Sequence, residues 1–366
     1  MKKSLIALAV LGLSSVAMAQ SSVTLYGVAD AGVGKIKRLS GPAPVSGGLS
    51  GVSGSSDANN KTQFLSGSMM NNGTSRLGVR GIEDLGGGMQ AGFNFETGLD
   101  LDSGATVNSA NGGTWGRQAN VWLTGPWGTV KLGRQYTPSF LTTQMFDLTY
   151  AANYSLHGLV FDYVSISPRA NSAFAYVTPT FAGFTGAIAY VTKPDLNDML
   201  GLVSPDSVNK AAWDLGLMYA NGPLSAGLSV NKVVDSKTNF VLGAKYSFGN
   251  FTLAASYTQA SNPLSKAVRR GFGIGGTATF GAFSVTLDIM RDTRNQWNNV
   301  GIVPPGRNGK KYTNGLVEVK YNLSKRTFLY GTYLRMDGTY IDGGNNAPAS
   351  KYGSTNNYGI GIRHNF

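Results

Sequence analysis

The 366-residue chain has no cysteine, only two histidines, and charge on just 14% of its residues. Without cysteine there are no disulfides, thiolate metal ligands or redox thiols. The two histidines, His157 and His364, lie far apart in sequence, which leaves little for catalysis built on a positioned imidazole. Acidic residues are scarce: 19 Asp and Glu stand against 31 Lys and Arg, a net charge of +12. No stretch reaches 18 consecutive apolar residues, so no membrane-crossing helix is expected. What is plentiful is glycine, at 50 residues, and aromatics, with 17 Tyr, 17 Phe and 5 Trp. That much apolar and aromatic content argues against a disordered chain. Combined with low charge it suits strands and turns.

The start of the chain reads as an export leader. Lys2 and Lys3 are followed by the apolar run Leu5 to Leu13, and Ala17-Met18-Ala19 fits the small-x-small cleavage rule. Residues 1–19 are expected to be a signal peptide, and 20–366 the exported domain.

Within that domain, alternation with period two recurs. Leu77 and Val79 alternate with Arg76, Gly78 and Arg80; Met89, Ala91, Phe93 and Phe95 alternate with Gln90, Gly92, Asn94 and Glu96. Phe283, Val285, Leu287 and Ile289 do the same with Ser284, Thr286, Asp288 and Met290. Such a pattern marks strands with two unlike faces. Seven tight turns separate pairs of strands, among them Gly125-Pro126-Trp127-Gly128, Asn221-Gly222-Pro223, Gly249-Asn250 and Gly281-Ala282. Between these pairs lie eight longer polar stretches, near 36–73, 99–114, 137–168, 193–211, 233–238, 260–268, 292–313 and 336–355. Sixteen strands with every short turn at one end and every long loop at the other are the pattern of an outer-membrane barrel. Trp127, Phe181, Phe184, Phe248, Phe251, Phe280, Phe283 and Phe328 flank the short turns, as an interfacial aromatic girdle would. Lipid offers no hydrogen-bond partners, so the sheet must close on itself. Sixteen strands would leave a water-filled lumen.

The particular residues also resemble a family. Val23-Thr24-Leu25-Tyr26-Gly27-Val28-Ala29-Asp30-Ala31-Gly32 is similar to the first strand of Gram-negative general diffusion porins, of the beta-proteobacterial, neisserial-like branch. Ser75 through Gly86, Leu132-Gly133-Arg134-Gln135 and the ending Tyr358 through Phe366 resemble the same family in the same order. The resemblance implies a homotrimer of sixteen-stranded antiparallel transmembrane barrels in outer-membrane lipid and lipopolysaccharide. It implies a terminal Phe366 acting in assembly, and a loop at 137–168 folded inward to narrow the channel. That loop carries Asp147 and Asp162, and a basic ladder on the facing wall would comprise Arg76, Arg117 and Arg169. Alternation places Arg76 and Arg169 toward the lumen. Arg117 shares phase with the outward-looking Val121 and Leu123, so alternation leaves its direction open. Arg80, Lys245, Lys320 and Arg335 fall on the lumen phase, together with Glu96, Asp288 and Glu318.

The expected activity is passive diffusion of small hydrophilic solutes and ions, with a preference for anions, and not an enzymatic reaction. The runner-up is a channel specific for an anionic metabolite on the same scaffold, and a closed structural barrel or adhesin is a third reading. His364 belongs to the family-like ending, and His157 reads as an ordinary polar loop residue. Gly271-Phe272-Gly273-Ile274-Gly275-Gly276 has the spacing of a dinucleotide loop, but a strand pattern runs through it, so small lumen-facing residues are the better reading. No cofactor, metal site or nucleic-acid partner is expected.

Overall fold

The computed structural model describes residues 21–37, 59–107, 114–161, 163, 168–192, 211–261, 268–295, 311–341 and 351–366. The leader expected at 1–19, Asp162 and the middles of several long loops lie outside the described residues.

The strands, in chain order, are β1 (Ser22–Lys37), β2 (Asn59–Ser66), β3 (Arg76–Gly86), β4 (Met89–Leu99), β5 (Thr106–Val107) and β6 (Gln118–Gly125). There follow β7 (Gly128–Tyr136), β8 (Arg169–Val177), β9 (Phe184–Val191), β10 (Ala212–Asn221), β11 (Leu224–Val233) and β12 (Asn239–Phe248). The last are β13 (Phe251–Ser261), β14 (Val268–Phe280), β15 (Phe283–Asn295), β16 (Tyr312–Asn322), β17 (Thr327–Ile341) and β18 (Lys351–Asn365). Each pairs antiparallel with its neighbour in one 18-membered sheet. β1 closes the ring against β18, from Val28 opposite Asn365 to Lys35 opposite Tyr358. β2 and β3 are two halves of one barrel strand, since both pair with β1, and two-residue β5 only extends the edge of β4. The barrel therefore counts sixteen strands, as the alternation and turn spacing require.

The faces are inverted relative to a soluble protein. Leu25, Ile274, Leu287 and Ile360 stand exposed on the outer face, while Asp30, Asp214, Asn231 and Asp292 are fully buried inside. Lipid contact explains the first set and a hydrogen-bonded interior the second. The short turns use positive backbone angles where the hairpin demands them: Gly249 and Gly281 have φ of 54° and 59°, a region a side chain resists. Around these turns Trp127, Phe181, Phe184, Phe248, Phe251, Phe280 and Phe283 are exposed, which suits a headgroup-level girdle. Phe328 departs from the girdle expectation. It lines the interior, with Lys320 Nζ 5.5 Å and Arg363 Cζ 5.9 Å from its ring centre.

The stretch 36–73, expected to be all loop, contains β2, and residues 67–75 fold inward between β2 and β3. Its Ser, Asn and Gly residues read as solvated loop, but they bond inside the barrel instead. Asn71 Nδ2 donates to Asp30 Oδ1 at 3.0 Å, Gly73 N donates to Asp30 Oδ2 at 2.8 Å, and the Tyr330 hydroxyl donates to Asp30 Oδ1 at 2.5 Å. Met69 and Met70 join a buried cluster with Leu65, Tyr154, Leu156 and Leu334.

The segment between β7 and β8 carries two short helices, α1 (Pro138–Gln144) and α2 (Leu156–Phe161). Thr137 caps α1 through its side chain, and Pro138 occupies the first turn, where its missing N–H costs nothing. The segment packs on the inner wall because glycines there make room. A Cβ on Gly227 would come within 2.6 Å of Thr142, on Gly243 within 2.5 Å of Phe146, on Gly271 within 2.7 Å of Phe161, and on Gly275 within 2.8 Å of Leu148. The alternating glycines of 271–276 are thus a seat for the loop. Buried polar contacts fasten it. Asp214 Oδ1 accepts from Ser139 Oγ at 2.6 Å and Asp214 Oδ2 from Ser139 N at 3.0 Å; Arg269 Nη1 donates to Val160 O at 2.5 Å. Each such charge-assisted bond is worth about 1.5–3 kcal/mol.

Candidate pore constriction

The loop and the inward segment 67–75 leave a cavity of about 650 Å³ against the β1, β3, β4, β7 and β16 side of the wall. Arg76, Arg117, Arg169, Lys320 and Arg363 line it, and among the described residues Glu96 is the one acidic side chain that does. Tyr26, Tyr136 and Tyr150 place rings between them.

Each basic group is fixed by its surroundings. Arg76 opens β3, and its Nε lies 3.9 Å from Glu96 Oε2. Arg117 stands just before β6, outside the alternation that made its direction uncertain. Its guanidinium turns inward, donating through Nε to Glu96 Oε1 at 2.6 Å and through Nη2 to the Tyr136 hydroxyl at 2.9 Å. Arg169 heads β8 below a bulge. Ser172 has φ of 50°, and the register with β7 shifts between Gly133 and Gln135, so counting by twos does not run through to it. It nevertheless lines the cavity, its guanidinium 5.7 Å from the centre of the Tyr136 ring. Lys320 pairs with Glu318 at 3.0 Å, and Arg363 Nη1 donates to Asn72 Oδ1 at 2.7 Å.

The acids fall differently from expectation. Asp147 is buried and does not line the cavity. Its carboxylate is consumed within its own loop, accepting from Thr149 N, Thr149 Oγ1, Ala151 N and Ser155 Oγ. Among the described residues, the carboxylate facing the arginines comes from the wall, at Glu96. Asp162 lies outside the described residues. Asp288 is buried beside the loop, near His157 and Leu148. Glu318 accepts from the buried Tyr154 hydroxyl, which it and burial together hold far above its usual pKa.

Of the remaining charges, Lys245 sits inside with its Nζ 4.2 Å from the centre of the Tyr150 ring. Arg80 lies over the Tyr26 ring at 5.4 Å. Arg335 does not face the lumen. Tyr330, Leu334 and Met336 are buried on the inner face of β17, which puts Arg335 outward with Leu329 and Tyr333. Its Nη2 donates to Ser354 Oγ, near the long-loop end. Leu334 and Met336, apolar but inward, pack under the segment 67–75, which gives the inner phase of β17 to them and the outer phase to Arg335.

Arg363 was absent from the expected ladder, yet Tyr358, Ile360 and Ile362 face outward in β18 and give Arg363 the inner phase. That alternation was present in the sequence. No sequence signal announced Asn72, because its position depends on the fold of 67–75. His157 packs within the loop, its ring 5.4 Å from Phe146 and its Nε2 3.5 Å from Ser256 Oγ, around a space of only about 10 Å³.

Comparison with known proteins agrees with the geometry. Residues 4–341 match the model of a family described as Gram-negative porin. The chain is 32% identical to outer membrane porin protein 32 of Delftia acidovorans, over the full length of both. Among solved structures it resembles the anion-selective porin from Comamonas acidovorans, with a TM-score of 0.67 and 26% identity, over 95% of this chain and 100% of that one. The trimer form of OmpT from Vibrio cholerae shares the fold, at a TM-score of 0.60 and 16% identity, over 94% of this chain and 99% of that one. A closed sixteen-stranded barrel with a greasy exterior, an inward loop and this family match place the chain among the Gram-negative porins, channel-forming proteins of the outer membrane.

Proposed function

We propose that this porin is a general diffusion pore with a preference for anions, narrowed where Arg76, Arg117 and Arg169 approach the inward loop. The observation that carries this is the charge around the cavity: among the described residues, five basic side chains line it against the carboxylate of Glu96. Glu96 is itself engaged by Arg76 and Arg117. Size is then filtered by the gap between wall and loop, and charge by the ring of cations, which lowers the barrier for anions and raises it for cations. Nothing is bound tightly, and no bond is made or broken. Reversal potentials across a planar bilayer in a KCl gradient test this. A chloride preference supports it, and a clear potassium preference contradicts it.

Residues 1–19 would be removed on export, and the mature barrel would assemble as a trimer within lipid and lipopolysaccharide. Gly27, Ala29, Ala31 and Val33 share the outer face of β1, small enough for close contact between protomers. Phe366 would serve assembly at the seam, where its backbone exchanges two hydrogen bonds with Gly27, at 2.9 and 3.1 Å. A channel specific for an anionic metabolite is favoured by one observation, the aromatic rings interleaved with cations: Tyr26 with Arg80, Tyr136 with Arg169, Tyr150 with Lys245. Flux of a small organic anion that saturates at low concentration would select that reading over the general pore.

A further inference from the structure

A second cavity, of about 370 Å³, lies on the lumen wall nearer the short turns, lined by Arg80, Asn94, Trp122, Thr124, Thr129 and Lys131, with Ile82 at its edge. Arg80 is four residues along β3 from Arg76, which at about 3.3 Å per residue sets this shelf roughly 13 Å from the constriction. Thr124 and Thr129 join hydroxyls at 2.8 Å one step before the Gly125–Gly128 turn, so the shelf sits at the short-turn mouth.

Its centre is an indole. Trp122 projects into the lumen from β6, opposite in phase to the outward Val121. The ring is held in place twice. Its Nε1 donates to Asn94 Oδ1 at 3.0 Å, and it lies across Gly92, where a Cβ would come within 2.3 Å of Trp122 Cζ2. One face of the ring is therefore against the wall and the other is turned to the cavity. Lys131 is the direct cross-strand partner of Trp122, and Arg80 that of Asn94, so a cation flanks the indole on either side. Among the described residues, no acidic side chain lines the cavity. The side-chain carbonyl of Asn94 is taken by Trp122, so the charged groups offered to a ligand are the two cations.

We propose that this shelf is a binding site for carboxylates carrying a planar aromatic ring, the ring stacking on the free face of Trp122 and the carboxylate lying between Arg80 and Lys131. The site rests on the reading of the chain as an open anion pore, because its ligand reaches it through the lumen. An aliphatic anion would receive the charge contribution alone, so the shelf discriminates by ring.

The test is block of ionic current in planar bilayers at fixed KCl, with sodium benzoate added on the short-turn side and sodium acetate as the matched control. Benzoate is expected to reduce the current saturably, at lower concentration than acetate. Trp122→Leu should raise the half-blocking benzoate concentration about three- to tenfold, the worth of one aromatic contact, with acetate block and KCl conductance unchanged. Trp122→Phe should retain the benzoate block, and Lys131→Gln should weaken it while leaving the ring in place. Equal block by benzoate and acetate in the unaltered protein would overturn the inference, as would unchanged benzoate block in both Trp122→Leu and Lys131→Gln. Absence of any KCl conductance would instead refute the pore on which the site depends.

Discussion

Joint replacement of Arg76 and Arg169 by Ser removes two of the five cations around the constriction while leaving Arg117 to hold Glu96. A guanidinium about 7 Å from a permeating ion in a water-filled pore contributes about 0.6 kcal/mol by Coulomb's law at a dielectric constant near 80. Screening at about 0.1 M salt roughly halves that, since the Debye length is about 10 Å. Two such charges then shift the anion barrier up and the cation barrier down by about 0.6 kcal/mol each, so the chloride-to-potassium permeability ratio should fall about five- to tenfold. Reversal potentials read this ratio directly. Arg335→Ser removes the same unit of charge from the outer face near the long-loop end and should leave the ratio unchanged. Selectivity that survives the double replacement, or that falls equally with Arg335→Ser, would refute control by position in favour of overall charge.

Asp214→Asn weakens the carboxylate that holds Ser139 and should cost about 1.5–3 kcal/mol of loop docking; protease cleavage within 137–161 in the folded barrel should become faster. Gly243→Leu drives a side chain into the Phe146 ring, at a cost of about 1–3 kcal/mol, and single-channel conductance should shift as the loop moves off the wall. Burial holds the His157 imidazole below its ordinary value of 6.5, against the opposing pull of Asp147. A free loop therefore takes up the proton on this imidazole first as pH falls, so the contribution of His157 to docking is complete above about pH 6.5 and weakens below it. Current flicker should rise at mildly acidic pH, and His157→Gln should flatten that dependence.

The barrel was legible because lipid and water write opposite demands on alternate residues, and that alternation survives in almost every strand. The turns were legible because a two-residue hairpin needs glycine at positive φ, as at Gly249 and Gly281. The pattern failed where the interior is not water. Leu334 and Met336 are apolar, yet they face inward and pack under residues 67–75, which leaves Arg335 on the outer face and not on the lumen phase expected for it. Alternation decides nothing at Arg117, just before β6, where the direction comes from Glu96 and Tyr136; Arg169 lines the cavity as its phase indicated, although a bulge lies between it and the rest of β8. The loop's acid could not be placed from sequence either, because Asp147 spends its oxygens on Thr149, Ala151 and Ser155, partners that exist only once the loop has folded. Arg363 was readable from the outward run Tyr358, Ile360 and Ile362.

Single-channel recording of the purified, detergent-solubilised protein in a planar bilayer tests the existence of a water-filled tube most directly. Large, stable current steps that scale with KCl concentration are expected. A membrane that stays silent after verified insertion would show a barrel sealed by its own loop, and the protein would not be a pore.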